Sequence, residues 1–321
     1  MCLYPRLIKN KKFEPNKKNG GIAPPVNDKR TLLVPVGCGK CMECMRKKAN
    51  DWRTRLLEEI KERGNCEFVT LTLSNESYKA LDIEINNDVR GYDRENEIIT
   101  LACRRFFERW RAKTGKSIKH WLVSELGGNG TENIHLHGFL WTEEKELINE
   151  TWKYGYTFIG DWVNEQTVNY CVKYVMKMDE THKEYKAKIL SSKGIGRNYI
   201  LKNGRENKFK GNETREYYTT RQGNKIALPM YYRNKIYTDE EREKLWINKI
   251  DKNIRYVDGS IIDLNKEPEE YMRALKVAQQ KNIRLGYGDD RKNWERKEYE
   301  NQRRELMRLR RLEVRENRAS P

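Results

Sequence analysis

The stretch Trp121-Leu-Val-Ser-Glu-Leu-Gly-Gly-Asn-Gly-Thr-Glu-Asn-Ile-His-Leu-His-Gly-Phe-Leu-Trp141 reads as strand, glycine turn, strand, and the rest of the chain is organised around it. Side chains in an extended strand alternate between faces, so His135 and His137 project together while Leu136 points the other way. If Gly127-Gly128-Asn129-Gly130 reverses the chain, the two strands pair and Glu125 reaches the face that carries the imidazoles. Two histidines and one carboxylate, with open positions left over, make a site for a catalytic divalent metal. A polar pair on an exposed strand face is the bland alternative. Against it, the chain has four histidines and two of them share this tripeptide between apolar runs.

The 321 residues suffice for one sizeable core with elaborations, or for two small domains. Lys and Arg number 65 against 48 Asp and Glu, a formal charge of +17. A basic surface gains affinity for polyanions by releasing counterions from phosphates, which puts nucleic acid first among partners and an anionic membrane surface second. No apolar run is long enough to cross a bilayer, and the segment from Met1 to Lys9 lacks the apolar centre of a signal peptide. A cytosolic protein that does not enter membranes is expected. Seven cysteines, an odd number and clustered, argue against a disulfide framework.

Up to about Arg30 the chain has no sustained period and reads as an irregular arm. Cys38-Gly-Lys-Cys41-Met-Glu-Cys44 follows, a CxxCxxC knuckle that runs into a helix over Arg46 to Arg63. Basic Arg46, Lys47 and Lys48 stand at the start of that helix. Three thiolates at this spacing suit Zn²⁺, with Cys2 as the candidate fourth ligand if the arm folds back; small buried thiols beside a helix start are an equal alternative. Glu67 to Leu73 alternates as a strand, and Asp88 to Asn96 reads as a polar loop. Helices are expected over Glu97 to Ala112, Glu143 to Glu150 and Asn164 to Met178, with a short strand over Tyr156 to Trp162. Strands and helices mix without a βαβ rhythm, so the fold class is α+β, built on a central, largely antiparallel sheet flanked by helices.

On the last of these helices Tyr170 and Tyr174 stand four residues apart, hence on one face, with Lys173 and Lys177 as a second such pair beside them. A tyrosine is a poor nucleophile near its free pKa of about 10, but a neighbouring ammonium or a metal favours the phenolate. Two rings packing an amphipathic helix are the plainer reading of the pair taken alone.

The order Phe68-Val-Thr-Leu-Thr-Leu73, His135-Leu-His137, Tyr170-Cys-Val-Lys-Tyr174 resembles the three ordered motifs of the HUH endonucleases. More narrowly the chain resembles the replication initiation proteins of the microviruses, of the gokushovirus type. The amino-terminal Met-Cys-Leu-Tyr-Pro, the Cys knuckle with its basic helix, Ser192-Lys-Gly-Ile-Gly196 and Leu228-Pro-Met-Tyr-Tyr-Arg-Asn-Lys-Ile-Tyr237 carry the likeness, which fades after about Trp246. The resemblance implies that His135 and His137 hold Mg²⁺ or Mn²⁺ with Glu125 as third ligand, and that Tyr170 and Tyr174 occupy the nucleophile helix. It implies nicking of a single-stranded DNA origin through a 5′-phosphotyrosyl intermediate to start rolling-circle replication, with host helicase and polymerase as partners in the cytoplasm of a bacterial host. Lys173 or Lys177 would then stabilise a phenolate or contact phosphate, or simply lie on a solvated face.

Beyond the helix, Ser191 to Tyr199 places Gly194 and Gly196 between the cations Lys193 and Arg197, where backbone N–H groups and basic side chains are candidates for phosphate contacts. Phe209 to Tyr237 interleaves tyrosines with basic residues, as a single-strand groove would, or forms a hairpin packed on the core. Asp289 to Arg318 reads as a solvated charged helix. The expected organisation is an arm and Cys-rich knuckle (1–50), an endonuclease core of the HUH type (51–200) and a basic extension packed on that core with a charged helical tail (201–321). Two rivals stand: a plasmid or transposon relaxase of the same chemistry, and a non-catalytic zinc-knuckle nucleic-acid-binding protein.

Overall fold

The computed structural model describes residues 1–64, 66–128, 132–160, 162–177, 182, 184–202, 204–289, 305 and 308. The tip of the glycine turn (Asn129, Gly130), Met178 and nearly all of the charged tail lie outside the described residues. In chain order the elements are β1 (Arg6–Lys9), β2 (Leu33–Val36), α1 (Met42–Arg63), β3 (Glu67–Thr72), α2 (Asn75–Ile83), α3 (Gly91–Thr114), β4 (Lys119–Leu126), β5 (Ile134–Trp141), α4 (Lys145–Trp152), β6 (Thr157–Gly160), α5 (Glu165–Met176), β7 (Ile189–Ser191), α6 (Asn198–Lys202), β8 (Tyr217–Thr219), β9 (Lys225–Ala227), α7 (Met230–Ile236), α8 (Asp239–Lys252), β10 (Ile254–Val257), β11 (Ser260–Asp263) and α9 (Pro268–Arg284). Among the described residues no helix is long and apolar enough to cross a membrane.

The chain divides into two compact units, one formed by Met1–Asp51 with the described part of Tyr199–Arg291, the other by Trp52–Asn198 with Glu305 and Arg308. The second unit is α+β. Its five strands run in the order β6-β3-β5-β4-β7, every neighbour antiparallel. The period of two sorts its residues. Val69, Leu71, Leu122, Leu126, Ile134, Leu136 and Leu140 face one way and form a buried core with Ile98, Ile99, Phe106 and Trp110 of α3, Leu81 of α2, and Ile148 and Trp152 of α4. On the other face Trp121 lies against Trp52 of α1, with ring centroids 5.8 Å apart. Thr70, Glu125, His135 and His137 share that face.

Gly138 lets β4 and β5 close up. A Cβ at this position would fall 2.0 Å from the Trp121 carbonyl oxygen, so only glycine fits directly after His137.

Two departures from the sequence reading concern polar residues. The segment read as a loop from Asp88 to Asn96 is helical from Gly91, because Tyr92, Arg94, Glu95 and Asn96 are buried. The Arg94 guanidinium donates to Asp82 Oδ1 at 2.5 Å and to the Asp82 and Asn86 carbonyls at 2.7 and 3.1 Å, while Arg308 also pairs with Asp82. Paired and bonded in this way, a charged run joins the interior. Helix α2 follows directly on β3, where Ser74 ends the strand and caps the helix by accepting from the Ser77 N–H at 3.2 Å.

In the first unit β1 pairs with β2, β8 with β9, and β10 with β11, each antiparallel. Tyr199, Tyr218, Tyr232 and Tyr237 are buried with Leu228 and Leu245, so the β8–β9 hairpin belongs to a core and these four rings are not open to stacking on bases. Tyr217, partly exposed, lies under the Lys225 ammonium at 4.9 Å.

Candidate metal and tyrosine site

In the β4–β5 ladder Glu125 stands opposite His135 and Val123 opposite His137. Glu125 Oε2 lies 3.3 Å from His135 Nε2 and 3.0 Å from His137 Nε2, and the two Nε2 atoms are 3.0 Å apart. The other ring nitrogens are engaged. His135 Nδ1 is 3.1 Å from the Asn133 carbonyl, which can only accept, so that nitrogen carries hydrogen and Nε2 keeps its lone pair. His137 Nδ1 sits 2.9 Å from Thr70 Oγ1, from the neighbouring strand β3.

Three electron-rich atoms so close repel one another unless a proton or cation lies among them. An octahedral ion with bonds of about 2.1 Å spaces adjacent ligands by about 3.0 Å, so this donor set fits a divalent cation. The three residues are a group able to hold a metal ion. Burial would raise the Glu125 carboxyl, but hydrogen bonds with His135, His137 and the Lys177 ammonium outweigh it and hold the group far below the usual carboxylate range. Lys177 donates to Glu125 Oε1, so in this structure its contact is with the carboxylate.

Helix α5 starts at the Asn164 cap, whose Oδ1 accepts from the Thr167 N–H at 3.0 Å. Val168, Cys171, Val172 and Val175 form its buried stripe, which leaves Tyr170 and Tyr174 on a flank. The Tyr174 ring stacks on His137 with centroids 4.8 Å apart and planes 9° from parallel; Tyr170 meets the same imidazole edge-on at 6.4 Å. Tyr174 donates a hydrogen bond to the Tyr170 hydroxyl. Burial, that hydrogen bond and the Glu125 charge push the Tyr174 hydroxyl well above the ordinary phenol range, so here its surroundings oppose the phenolate. Tyr170 is 49 % exposed. Lys173 is exposed, one turn before Lys177.

Other sequence candidates lie elsewhere. Lys193 and Arg197 are exposed, but Gly196 is buried and its N–H donates to Glu59 Oε2 at 2.7 Å, so that backbone group is not open to phosphate. In the first unit Arg46 pairs with Glu43 at 2.7 Å and Asp258 at 3.3 Å, which ties it within its own unit; Lys47 is exposed. Cys2, Cys38, Cys41 and Cys44 are brought together as a second group able to hold a metal. Thr70 is the residue sequence reasoning missed: the alternation of β3 put it on a face, but nothing in the order of residues said which strand would lie beside it.

An antiparallel α+β unit with a two-histidine, one-carboxylate site under a pair of tyrosines defines the class of protein. A family model described as replication-associated protein ORF2 matches residues 66–179. That span holds Thr70, Glu125, His135, His137, Tyr170, Tyr174 and Lys177. The chain is also similar to the replication-associated protein ORF4 of Chlamydia phage 1, at 22% identity over 169 residues, covering 46% of this chain and 39% of that protein. No solved structure matches the chain.

Proposed function

We propose that this chain is a metal-dependent single-stranded DNA nickase and strand transferase of the HUH type that initiates rolling-circle replication of a small phage genome. The observation that carries the reading is the stacking of Tyr174 on His137 at 4.8 Å, which holds a tyrosine pair against three convergent metal-binding side chains. The family match over those same elements and the likeness to a phage protein named replication-associated support it.

His135, His137 and Glu125 would hold Mg²⁺ or Mn²⁺, which when bound supplies charge stabilisation at the phosphoryl oxygens. A tyrosine oxygen attacks phosphorus in line, an O–P bond forms and the bond from phosphorus to the 3′ oxygen breaks. The phenolic proton passes to solvent and the departing 3′ oxygen takes one up. The products are a 5′-phosphotyrosyl link and a free 3′ hydroxyl that primes a polymerase. Two tyrosines one turn apart serve one cycle: the second cuts the regenerated origin, and the newly freed 3′ hydroxyl displaces the first tyrosine to close a circle. Lys177 positions Glu125, while Lys173, Lys193, Arg197 and Lys47 offer cations to the DNA backbone. In this reading residues 51–200 are the endonuclease core, 1–50 and 201–321 are accessory, and host helicase and polymerase extend the primer in the bacterial cytoplasm.

The test is nicking of labelled single-stranded phage-type circles with Mn²⁺, alongside DNA binding measured on the same samples. Nicking that EDTA abolishes, and that a His135→Ala, His137→Ala double variant loses while still binding DNA, supports the proposal. Binding with no nicking by the wild type, over a range of candidate origins, would leave a zinc-knuckle binding protein as the better account.

A further inference from the structure

We propose that Cys2, Cys38, Cys41 and Cys44 hold one structural Zn²⁺ that staples the chain's first residues into the first unit, making the fold of that unit depend on zinc. Cys2 and Cys41 sulfurs are 3.9 Å apart and those of Cys38 and Cys44 4.0 Å. A tetrahedral ion with Zn–S bonds of about 2.3 Å spaces its sulfurs by about 3.8 Å. A disulfide needs sulfurs at about 2.05 Å, and all four thiols are free. An iron–sulfur cluster, with an iron behind each thiolate, would hold the four sulfurs further apart.

The backbone is arranged for thiolates. Cys2 Sγ accepts from the N–H groups of Tyr4 at 3.3 Å and Cys38 at 3.2 Å. Cys38 Sγ accepts from Cys41 at 3.3 Å and Lys40 at 3.5 Å, and Cys41 Sγ from Leu3 at 3.5 Å. Such donors offset the charge of metal-bound sulfur and fix its direction. Gly39, at φ +73°, turns the chain between Cys38 and Cys41, and a Cβ on Gly37 would lie 3.1 Å from Cys44 Sγ.

Around the knuckle the apolar core is small: Leu3, Cys41, Met42, Val257 and Ala278 are its buried members. Two hydrogen bonds lock α9 onto it, from the Met42 N–H to Asn282 Oδ1 at 2.7 Å and from Gln279 Nε2 to the Leu3 carbonyl at 3.0 Å. A core of this size depends on a cross-link or a metal.

Full-length protein purified without added metal should contain one zinc per chain, released as the thiols are titrated with a mercurial. Cobalt substitution should give a sulfur-to-cobalt charge-transfer band, which His135, His137 and Glu125 cannot produce; the outcome is therefore independent of the nicking reading. Cys2→Ser should lower zinc retention, and chelation should strip hydrogen-exchange protection from α9 and β10 while β3 to β5 keep theirs. The proposal is overturned if the protein takes up no zinc, if cobalt shows no thiolate band, or if zinc-free protein keeps full protection in α9.

Discussion

Thr70 Oγ1 lies 2.9 Å from His137 Nδ1, across the ladder in which these two residues are direct partners. A hydroxyl that accepts from Nδ1–H leaves Nε2 unprotonated and aimed at Glu125. Thr70→Val keeps the shape of the side chain and removes the acceptor. Mn²⁺ affinity, read by calorimetry, should fall about 10- to 100-fold, the usual effect of removing such a partner, and Thr70→Ser should restore it.

Gly138 carries a backbone requirement next to the metal ligands. In Gly138→Ala the new methyl meets the Trp121 carbonyl oxygen at 2.0 Å, and strands β4 and β5 must separate. Urea unfolding should report a loss of about 3 kcal/mol. Metal affinity should fall with it, because the same displacement parts Glu125 from His135.

Much of this arrangement is legible in the sequence because it follows local periods. The alternation His135-Leu136-His137 defines the face, the glycine turn brings Glu125 across, and the spacing of four puts Tyr170 and Tyr174 together. What escapes is non-local. Thr70 belongs to a strand distant in sequence, Lys177 reads as a partner for tyrosine or phosphate although it meets Glu125, and Gly196 reads as a phosphate contact although its N–H meets Glu59. Arg94 reads as part of a loop when charge is equated with exposure, and its partners, Asp82 and the carbonyls around it, cannot be seen from composition.

The depressed Glu125 carboxyl gives a pH dependence with a definite sign. A carboxyl lowered in the folded state stabilises the fold above its unfolded value, ordinarily near 4.5, and loses that contribution as pH falls toward the folded value. In metal-free protein the stability advantage of wild type over Glu125→Gln should hold at neutral pH and shrink below about pH 4.5. Melting temperatures of the two proteins over pH 3 to 7 check it; an advantage that grows on acidification would contradict it.

Tyr170 is half-exposed and accepts from Tyr174, whose proton is held by burial. Tyr170 should therefore be the first attacker. Because Lys173 separates the two, trypsin places them on different peptides. Mass spectrometry of the first-turnover adduct should find the nucleotide on the peptide ending at Lys173, and Tyr174→Phe should leave that adduct in place.

The decisive experiment is denaturing electrophoresis of protein incubated with labelled single-stranded origin DNA and Mn²⁺. A covalent protein–DNA band that requires the metal and vanishes in the Tyr170→Phe, Tyr174→Phe double variant is the predicted result. A band that survives in the double variant, or cleavage with no covalent species, would mean that these tyrosines are not the nucleophiles and that the proposed chemistry is wrong.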